Sequence, residues 1–360
     1  MYIVLMAGGA GTRFWPRSRK DKPKQLLRII GKNTMLQDTY ERVKGITDLE
    51  KILVVTGENL KEEVRQQLPD LPQNNILTEP FGKNTAPCIA LASAVINKRE
   101  KGKPSVMAVL PADHLIVNTE SFQKTLTIAA RVAEKSDDLI TIGVKPLYPE
   151  TGYGYIQRNA KITEIEGQRL YPVKTFAEKP NLETAERFLS SGDFYWNAGI
   201  FVWSIATILN AFELQMPELF DMLPNLQKKV DTAEMNEEIF RVYSATKSIS
   251  IDYAIMESAK NVSVIEAEFD WSDVGSWEAV YNLSAKNKDK NVSYTENTIE
   301  INARNNFFHS DNKKLIAAID VEDLVMVETS DAILLCKKDS SQRVKEVVDK
   351  LRIKDMDDYL

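Results

Sequence analysis

Apolar residues in the first part of the chain fall into short unbroken runs. Tyr2-Ile3-Val4-Leu5-Met6 is one, closed by Ala7-Gly8-Gly9, and similar runs recur at Ile52–Thr56, Val106–Leu110 and Leu139–Val144. A run with no polar alternation suits a strand covered on both faces of a parallel sheet. Between these runs, 58–68, 85–99 and 119–135 read as helices, the second with Ala86, Ile89, Ala90 and Ala94 along one side. Strand and helix alternate, so the first half is predicted to be a doubly wound α/β sheet with right-handed crossovers.

From Thr151 the pattern changes. Tyr153–Arg158 and Tyr171–Ala177 read as antiparallel strands, and helices are expected near 181–190, 204–215 and 234–246 before a strand at Val262–Ala267. This stretch is expected to extend the sheet's edge and supply a second ligand wall. After about residue 285 the chain turns polar (Lys286-Asn287-Lys288-Asp289-Lys290-Asn291), then gives short β-rich runs at 313–319, 324–328 and 332–336 and a charged amphipathic helix at 340–352. Two domains are therefore expected, an α/β domain over 1–285 and a small β-rich domain with a terminal helix over 286–360. A length of 360 residues agrees with two cores rather than one.

Composition adds mainly exclusions. With 43% hydrophobic and 27% charged residues the chain is an ordinary globular sequence. It has no run of 18 apolar residues and no leader-like start, so neither membrane nor export is expected and a cytoplasmic location is. Cys88 and Cys336 are too far apart in sequence to form a motif and read as packed small residues. A net charge of -6 argues against nucleic acid as a partner. The charge is uneven, however. Residues 1–30 carry Arg13, Arg17, Arg19, Lys20, Lys22, Lys24 and Arg28 against Asp21 alone, giving +6, while the remainder sums to -12. A focused positive site in an acidic protein suits a small polyanion.

The candidate chemistry starts where the first strand ends, at Gly8-Gly9-Ala10-Gly11-Thr12-Arg13. Glycines let a backbone approach phosphate closely and aim N–H groups at its oxygens. The loop is neither a dinucleotide fingerprint, which needs glycine where Phe14 stands, nor a P-loop, which needs Gly-Lys-Ser/Thr. The failed fingerprint argues against a nucleotide-binding oxidoreductase.

The loop, Pro16 and Pro23-Lys24-Gln25 together resemble the signature of the sugar-1-phosphate nucleotidylyltransferases. The resemblance continues in order through Glu79-Pro80, Asn84-Thr85-Ala86-Pro87, Pro111-Ala112-Asp113-His114, Thr151-Gly152-Tyr153-Gly154-Tyr155-Ile156 and Phe176-Ala177-Glu178-Lys179-Pro180. It ends with Tyr195-Trp196-Asn197-Ala198-Gly199-Ile200-Phe201 and Trp271-Ser272-Asp273-Val274-Gly275-Ser276-Trp277. As a set these residues, from about 1 to 285, are most similar to the mannose-1-phosphate guanylyltransferase branch. The resemblance implies a Rossmann-like doubly wound mixed sheet of the nucleotide-diphospho-sugar transferase type.

It also implies a reaction: transfer of GMP from GTP to α-D-mannose 1-phosphate, giving GDP-mannose and pyrophosphate, with Mg²⁺. The attacking phosphate oxygen is already anionic, so no general base is required, and the scarcity of histidine (His114 and His309) is no obstacle. Gly8, Gly9, Gly11 and Thr12 are expected to cradle the triphosphate, with Arg13 and Lys24 as its cations. The resemblance assigns Mg²⁺ to Asp113 and Asp273; taken alone, each reads equally as a turn or cap residue. Lys179 and Glu178 are placed for the sugar phosphate and sugar hydroxyls, with Asn197 and the backbone of Gly152 beside them, although an exposed Glu-Lys pair before proline is common. Glu79, with Asn84 and Thr85, is the candidate acceptor for guanine N1–H and N2–H. A homodimer is implied, and within 360 residues a single activity without isomerase is expected. The same chemistry on another nucleotide or sugar phosphate stays open, as does a silent regulatory subunit that binds nucleotide sugars.

Overall fold

The computed structural model describes residues 1–9, 11–295 and 297–360; Ala10 of the glycine-rich loop and Glu296 lie outside the described residues. The chain divides into two compact units, neither continuous in sequence. One comprises Met1–Gly8, Thr39–Ala112 and Ile116–Trp271, the other Gly9–Asp38, Asp113–Leu115 and Ser272–Leu360.

The first unit is built on a ten-stranded mixed sheet. From one edge its order is Ile76–Glu79, Ile52–Gly57, Tyr2–Met6, Val106–Pro111, Phe194–Ser204, Leu139–Val144, Val262–Glu266, Gln168–Glu178 and Gly154–Arg158, with Thr163–Ile165 paired to Gln168–Glu178. The unbroken apolar runs are the parallel strands: Tyr2–Met6 lies between Ile52–Gly57 and Val106–Pro111 in parallel register. Helices cover both faces, which is why those runs need no polar side. Helix Thr85–Arg99 is buried at every residue from Ala86 to Ile96, well beyond the single apolar side its pattern predicts. Helices Thr119–Ala133, Leu182–Ser191 and Ile205–Gln215 begin where Asn118, Asn181 and Ser204 accept from the N–H groups of Ser121, Thr184 and Thr207.

The hydrophobic pattern does not predict the strand Phe194–Ser204, because its Asn197 and Gly199 interrupt the apolar run. It nonetheless lies in the middle of the sheet, antiparallel to Val106–Pro111, Leu139–Val144 and Gly154–Arg158 along successive parts of its length. Its register shifts between Asn197 and Phe201.

The second unit joins the glycine-rich loop segment to the C-terminal part of the chain. Val292–Tyr294, Phe307–Ser310 and Leu324–Glu328 stack in parallel, as do Thr298–Ile301 and Ile316–Ile319. Ile333–Lys337 closes one edge antiparallel, and helix Val344–Ile353 follows. Its core holds Phe14, Trp15, Trp277, Phe307, Val325 and Val348. Trp277 Nε1 donates to the Trp15 carbonyl at 3.2 Å, and the Phe14 and Trp277 rings meet edge to face at 5.0 Å. These contacts explain why residues 9–38 group by packing with 272–360, whereas the sequence reading draws one cut near 285. Among the described residues no helix is long and apolar enough to cross a membrane.

Candidate active site

In the second unit, Gly11 takes φ 55°, ψ 29° ahead of the single turn Thr12–Phe14. A Cβ at Gly11 would lie 2.5 Å from Lys24 Cβ and 2.7 Å from its backbone N, so only glycine lets the two segments meet. Gln25 Nε2 donates to the Gly9 carbonyl at 3.2 Å, a second tie between the loop and Pro23-Lys24-Gln25.

Lys24 is 5% exposed, and its ammonium donates to Asp113 Oδ2 at 2.9 Å and to the Asp273 carbonyl. One buried cation therefore gathers Asp113 and Asp273, which lie 160 positions apart in the sequence. Burial pushes the Asp113 carboxyl up, but the Lys24 charge, with a smaller contribution from His114, holds it below the usual range. His114 Nε2 lies 3.9 Å from Asp113 Oδ1. A Cβ at Gly275 would sit 2.8 Å from Asp273 Oδ2, so the glycine leaves that carboxylate its space. Arg13 is half-buried and has no hydrogen-bond or ion-pair partner among the described residues.

Lys24 ties the Asp113 carboxylate to the backbone of Asp273, and these two aspartates are donors of the kind that suits Mg²⁺, which takes one or two carboxylates and completes its shell with phosphate oxygens and water. Among the described residues no group of three or more His, Cys, Asp or Glu is arranged to hold a metal ion. Such an ion at Asp113 and Asp273 would thus depend on its ligand's oxygens.

In the first unit, Glu79 ends the strand Ile76–Glu79 and is 6% exposed. Its Oε1 accepts from the Tyr243 hydroxyl at 2.9 Å, while a Cβ at Gly8 would lie 3.3 Å from its Oε2. Burial raises its pKa to about 7, with the Tyr243 hydrogen bond pulling the other way. Asn84 caps helix Thr85–Arg99 with φ 68°, its Oδ1 accepting from Thr85 N. Thr85 Oγ1 accepts from Ile251 N at 2.8 Å, which straps the loop to residues 249–251.

Gly154, Glu178, Lys179 and Asn197 also converge in the first unit. A Cβ at Gly154 would come within 2.5 Å of Glu178 Oε2 and 3.4 Å of Asn197 Cβ. Lys179, held at φ 46°, pairs with Glu178 Oε1. The Asn197 amide is fixed on both sides: its Oδ1 accepts from Gly199 N at 3.0 Å, and its Nδ2 donates to Asp252 Oδ1 at 2.7 Å. Asp252 is raised to about 6 by burial and then by the neighbouring Glu178 charge. The Gly152 N–H is already taken, donating to Glu150 Oε1 at 2.8 Å.

The nucleotidyl transferase family model matches residues 2–290, and the MannoseP isomerase/GMP-like beta-helix domain matches 296–351. A mannose-1-phosphate guanylyltransferase of Klebsiella pneumoniae is 39% identical over 362 residues, spanning 99% of this chain and 75% of the relative. The chain belongs to the mannose-1-phosphate guanylyltransferase family. It is thus a nucleotidyltransferase, with the mixed sheet of that class and a C-terminal β-helix domain. Another family member, from Escherichia coli strain K12, is 36% identical over 98% of this chain and 73% of its own length. The crystal structure of mannose-1-phosphate geranyltransferase from Thermus thermophilus superposes with a TM-score of 0.85 and 29% identity, covering 98% of this chain and 99% of that one.

Two groups of this guanylyltransferase-family chain, the buried Tyr243 and the half-buried Asp252, escape the sequence reading. Tyr243 and Asp252 sit on helical segments whose patterns point only to packing. Their roles as partners of Glu79 and Asn197 exist only once strands and helices far apart in sequence are assembled.

Proposed function

We propose that the chain transfers GMP from GTP to α-D-mannose 1-phosphate, releasing pyrophosphate and forming GDP-mannose with Mg²⁺. The observation that carries this reading is Lys24, whose backbone and Cβ lie against Gly11 and whose buried ammonium donates to the Asp113 carboxylate and the Asp273 carbonyl. Such a site is made for concentrated negative charge, with Arg13 as the second cation. The backbone of Gly8, Gly9, Gly11 and Thr12 lies against the phosphates.

The sugar phosphate's anionic oxygen attacks the α-phosphorus in line with the departing pyrophosphate, so positioning and charge neutralisation carry the catalysis. Arg13 and Lys24 balance the charge that spreads over the phosphate oxygens. Asp113 and Asp273 would hold Mg²⁺, which supplies further neutralisation of the phosphates and fixes their orientation. Glu79 accepts from the guanine edge, flanked by Asn84 and Thr85. Lys179 meets the acceptor's phosphate, and Glu178, with the Asn197–Asp252 pair, meets its hydroxyls.

The test is pyrophosphate release with Mg²⁺ from each of the four nucleoside triphosphates against mannose, glucose, galactose and fucose 1-phosphates. Release confined to GTP with mannose 1-phosphate is expected. Release with a different pair keeps the transfer chemistry and rejects the specificity, and no release with any pair rejects the reading.

A further inference from the structure

Helix Met235–Ala245 contributes a tyrosine hydroxyl to the carboxylate assigned above to guanine. Tyr243 is 1% exposed, and its hydroxyl is the only hydrogen-bond donor that reaches the Glu79 carboxylate among the described residues. The bond goes to Oε1, and among the described residues no donor reaches Oε2. Oε2 is the oxygen next to Gly8, where a Cβ would come within 3.3 Å. The glycine therefore keeps the approach to Oε2 clear. The tyrosine ring is itself fixed: Phe81 packs edge-on against Tyr243 at 6.3 Å and against Phe240 at 5.9 Å.

We propose that Tyr243 is a positioning residue for base selection, its hydroxyl holding the Glu79 carboxylate in the single orientation that presents Oε2 past Gly8 to the nucleotide. The proposal rests on the reading of Glu79 as the acceptor for guanine.

The chemistry explains why one hydroxyl matters. Guanine offers N1–H and N2–H side by side, a pattern that an ionised carboxylate accepts. A protonated carboxyl instead offers one donor and one acceptor, the complement of adenine N1 and N6–H. Selection of guanine therefore requires Glu79 to be both oriented and ionised. Burial favours the neutral acid, and the Tyr243 hydrogen bond opposes that. The other titratable group facing it is the Cys88 thiol, which burial raises well above its ordinary value and keeps neutral. Among the described residues burial and the Tyr243 hydroxyl are what act on this carboxyl, so the tyrosine is the group that favours its charged form.

The experiment uses the full chain and compares Tyr243→Phe, Glu79→Gln and the double variant, with GTP, ITP and ATP as nucleotides and mannose 1-phosphate as acceptor. Phenylalanine keeps the ring packing and removes only the hydroxyl. Tyr243→Phe is expected to raise KM for GTP about 10- to 100-fold, the worth of one hydrogen bond to a charged group, with kcat within about twofold. GTP-over-ATP preference should fall in parallel. In the wild type KM for GTP is expected to rise as pH falls through about 7, the value to which burial raises the Glu79 carboxyl. In Tyr243→Phe that inflection should move to higher pH. In the Glu79→Gln background the phenylalanine change should cost little more, because no buried anion remains to be held. A packing loss alone would weaken all three nucleotides evenly and leave the inflection in place, which would overturn the proposal. So would additive losses in the double variant. If Glu79→Gln itself leaves the GTP-over-ATP ratio unchanged, the reading of Glu79 fails, whatever Tyr243 does.

Discussion

Gly9 and Gly11 both sit at positive φ, at 96° and 55°, yet they differ in what surrounds them. A Cβ at Gly9 would meet nothing within 4 Å; one at Gly11 would meet Lys24 Cβ at 2.5 Å and its backbone N at 2.7 Å. Alanine at either position incurs the left-handed penalty of roughly 1–2 kcal/mol. At Gly11 it also forces apart two backbone segments that cannot yield as a side-chain tip would, adding about 1–3 kcal/mol of overpacking. Gly11→Ala should therefore be less stable than Gly9→Ala by about 1–3 kcal/mol, read from urea midpoints at equal slope. Activity should separate further, because displacing Lys24 by even a few tenths of an ångström disturbs its bonds to Asp113 and Asp273. Initial-rate assays of pyrophosphate release are expected to show kcat down by about 10²-fold or more for Gly11→Ala, the scale of losing one preorganised charge contact. Equal midpoints for the two variants, or a Gly11→Ala enzyme with near-wild-type kcat, would refute the close-packing argument.

Lys24→Met keeps most of the packing and removes the charge, leaving the Asp113 carboxylate, one-third exposed, without its main partner. It should lose about 1–3 kcal/mol of stability, discounted for that exposure, and about 10²- to 10³-fold in turnover. Turnover within threefold of wild type would remove Lys24 from the phosphate site. His309, on strand Phe307–Ser310, is held neutral down to about pH 4 by burial and by the Arg17 charge, with Asp311 pulling the other way. Its folded pKa lies below the unfolded 6.5, so its contribution is complete above pH 6.5 and is lost as pH falls from 6.5 to 4. His309→Phe should flatten the urea midpoint against pH in that window, by up to about 3 kcal/mol at its acid end; an unchanged profile would show that folding leaves the pKa of this histidine where the unfolded chain has it.

What could be read from the sequence was the local physics. Tyr2–Met6, Val106–Pro111 and Leu139–Val144 announce themselves as strands because burial on both faces leaves no polar position, and helix Thr119–Ala133 because its apolar side repeats. The glycine-rich loop was legible for the same reason, since its conformation is written in which residues can adopt it. Phe194–Ser204 was not, because a strand that serves three neighbours and shifts register at its own Asn197 mixes polar and apolar residues without a period. The partnerships of Glu79 with Tyr243, and of Asn197 with Asp252, span 164 and 55 positions. No local pattern encodes them, and they arise only when the sheet brings its helices together. Residues 9–38 pack with the C-terminal β-helix through Phe14, Trp15 and Trp277, whose aromatic bulk was visible while its destination was not.

The place of Phe194–Ser204 in the sheet sets the order in which a growing chain can finish its core. Val106–Pro111 has this strand as a neighbour on one side, and Leu139–Val144 has it on one side and Val262–Glu266 on the other. A ribosome-bound chain that has emerged only to residue 190 thus displays two finished, strongly apolar strands, Val106–Pro111 with one edge unpaired and Leu139–Val144 with both. Such edges are templates for pairing with other chains. Until Ser204 has cleared the exit tunnel, and for Leu139–Val144 until Glu266 has, this is the interval of synthesis in which holding by a chaperone or a pause in translation does the most to prevent misassembly.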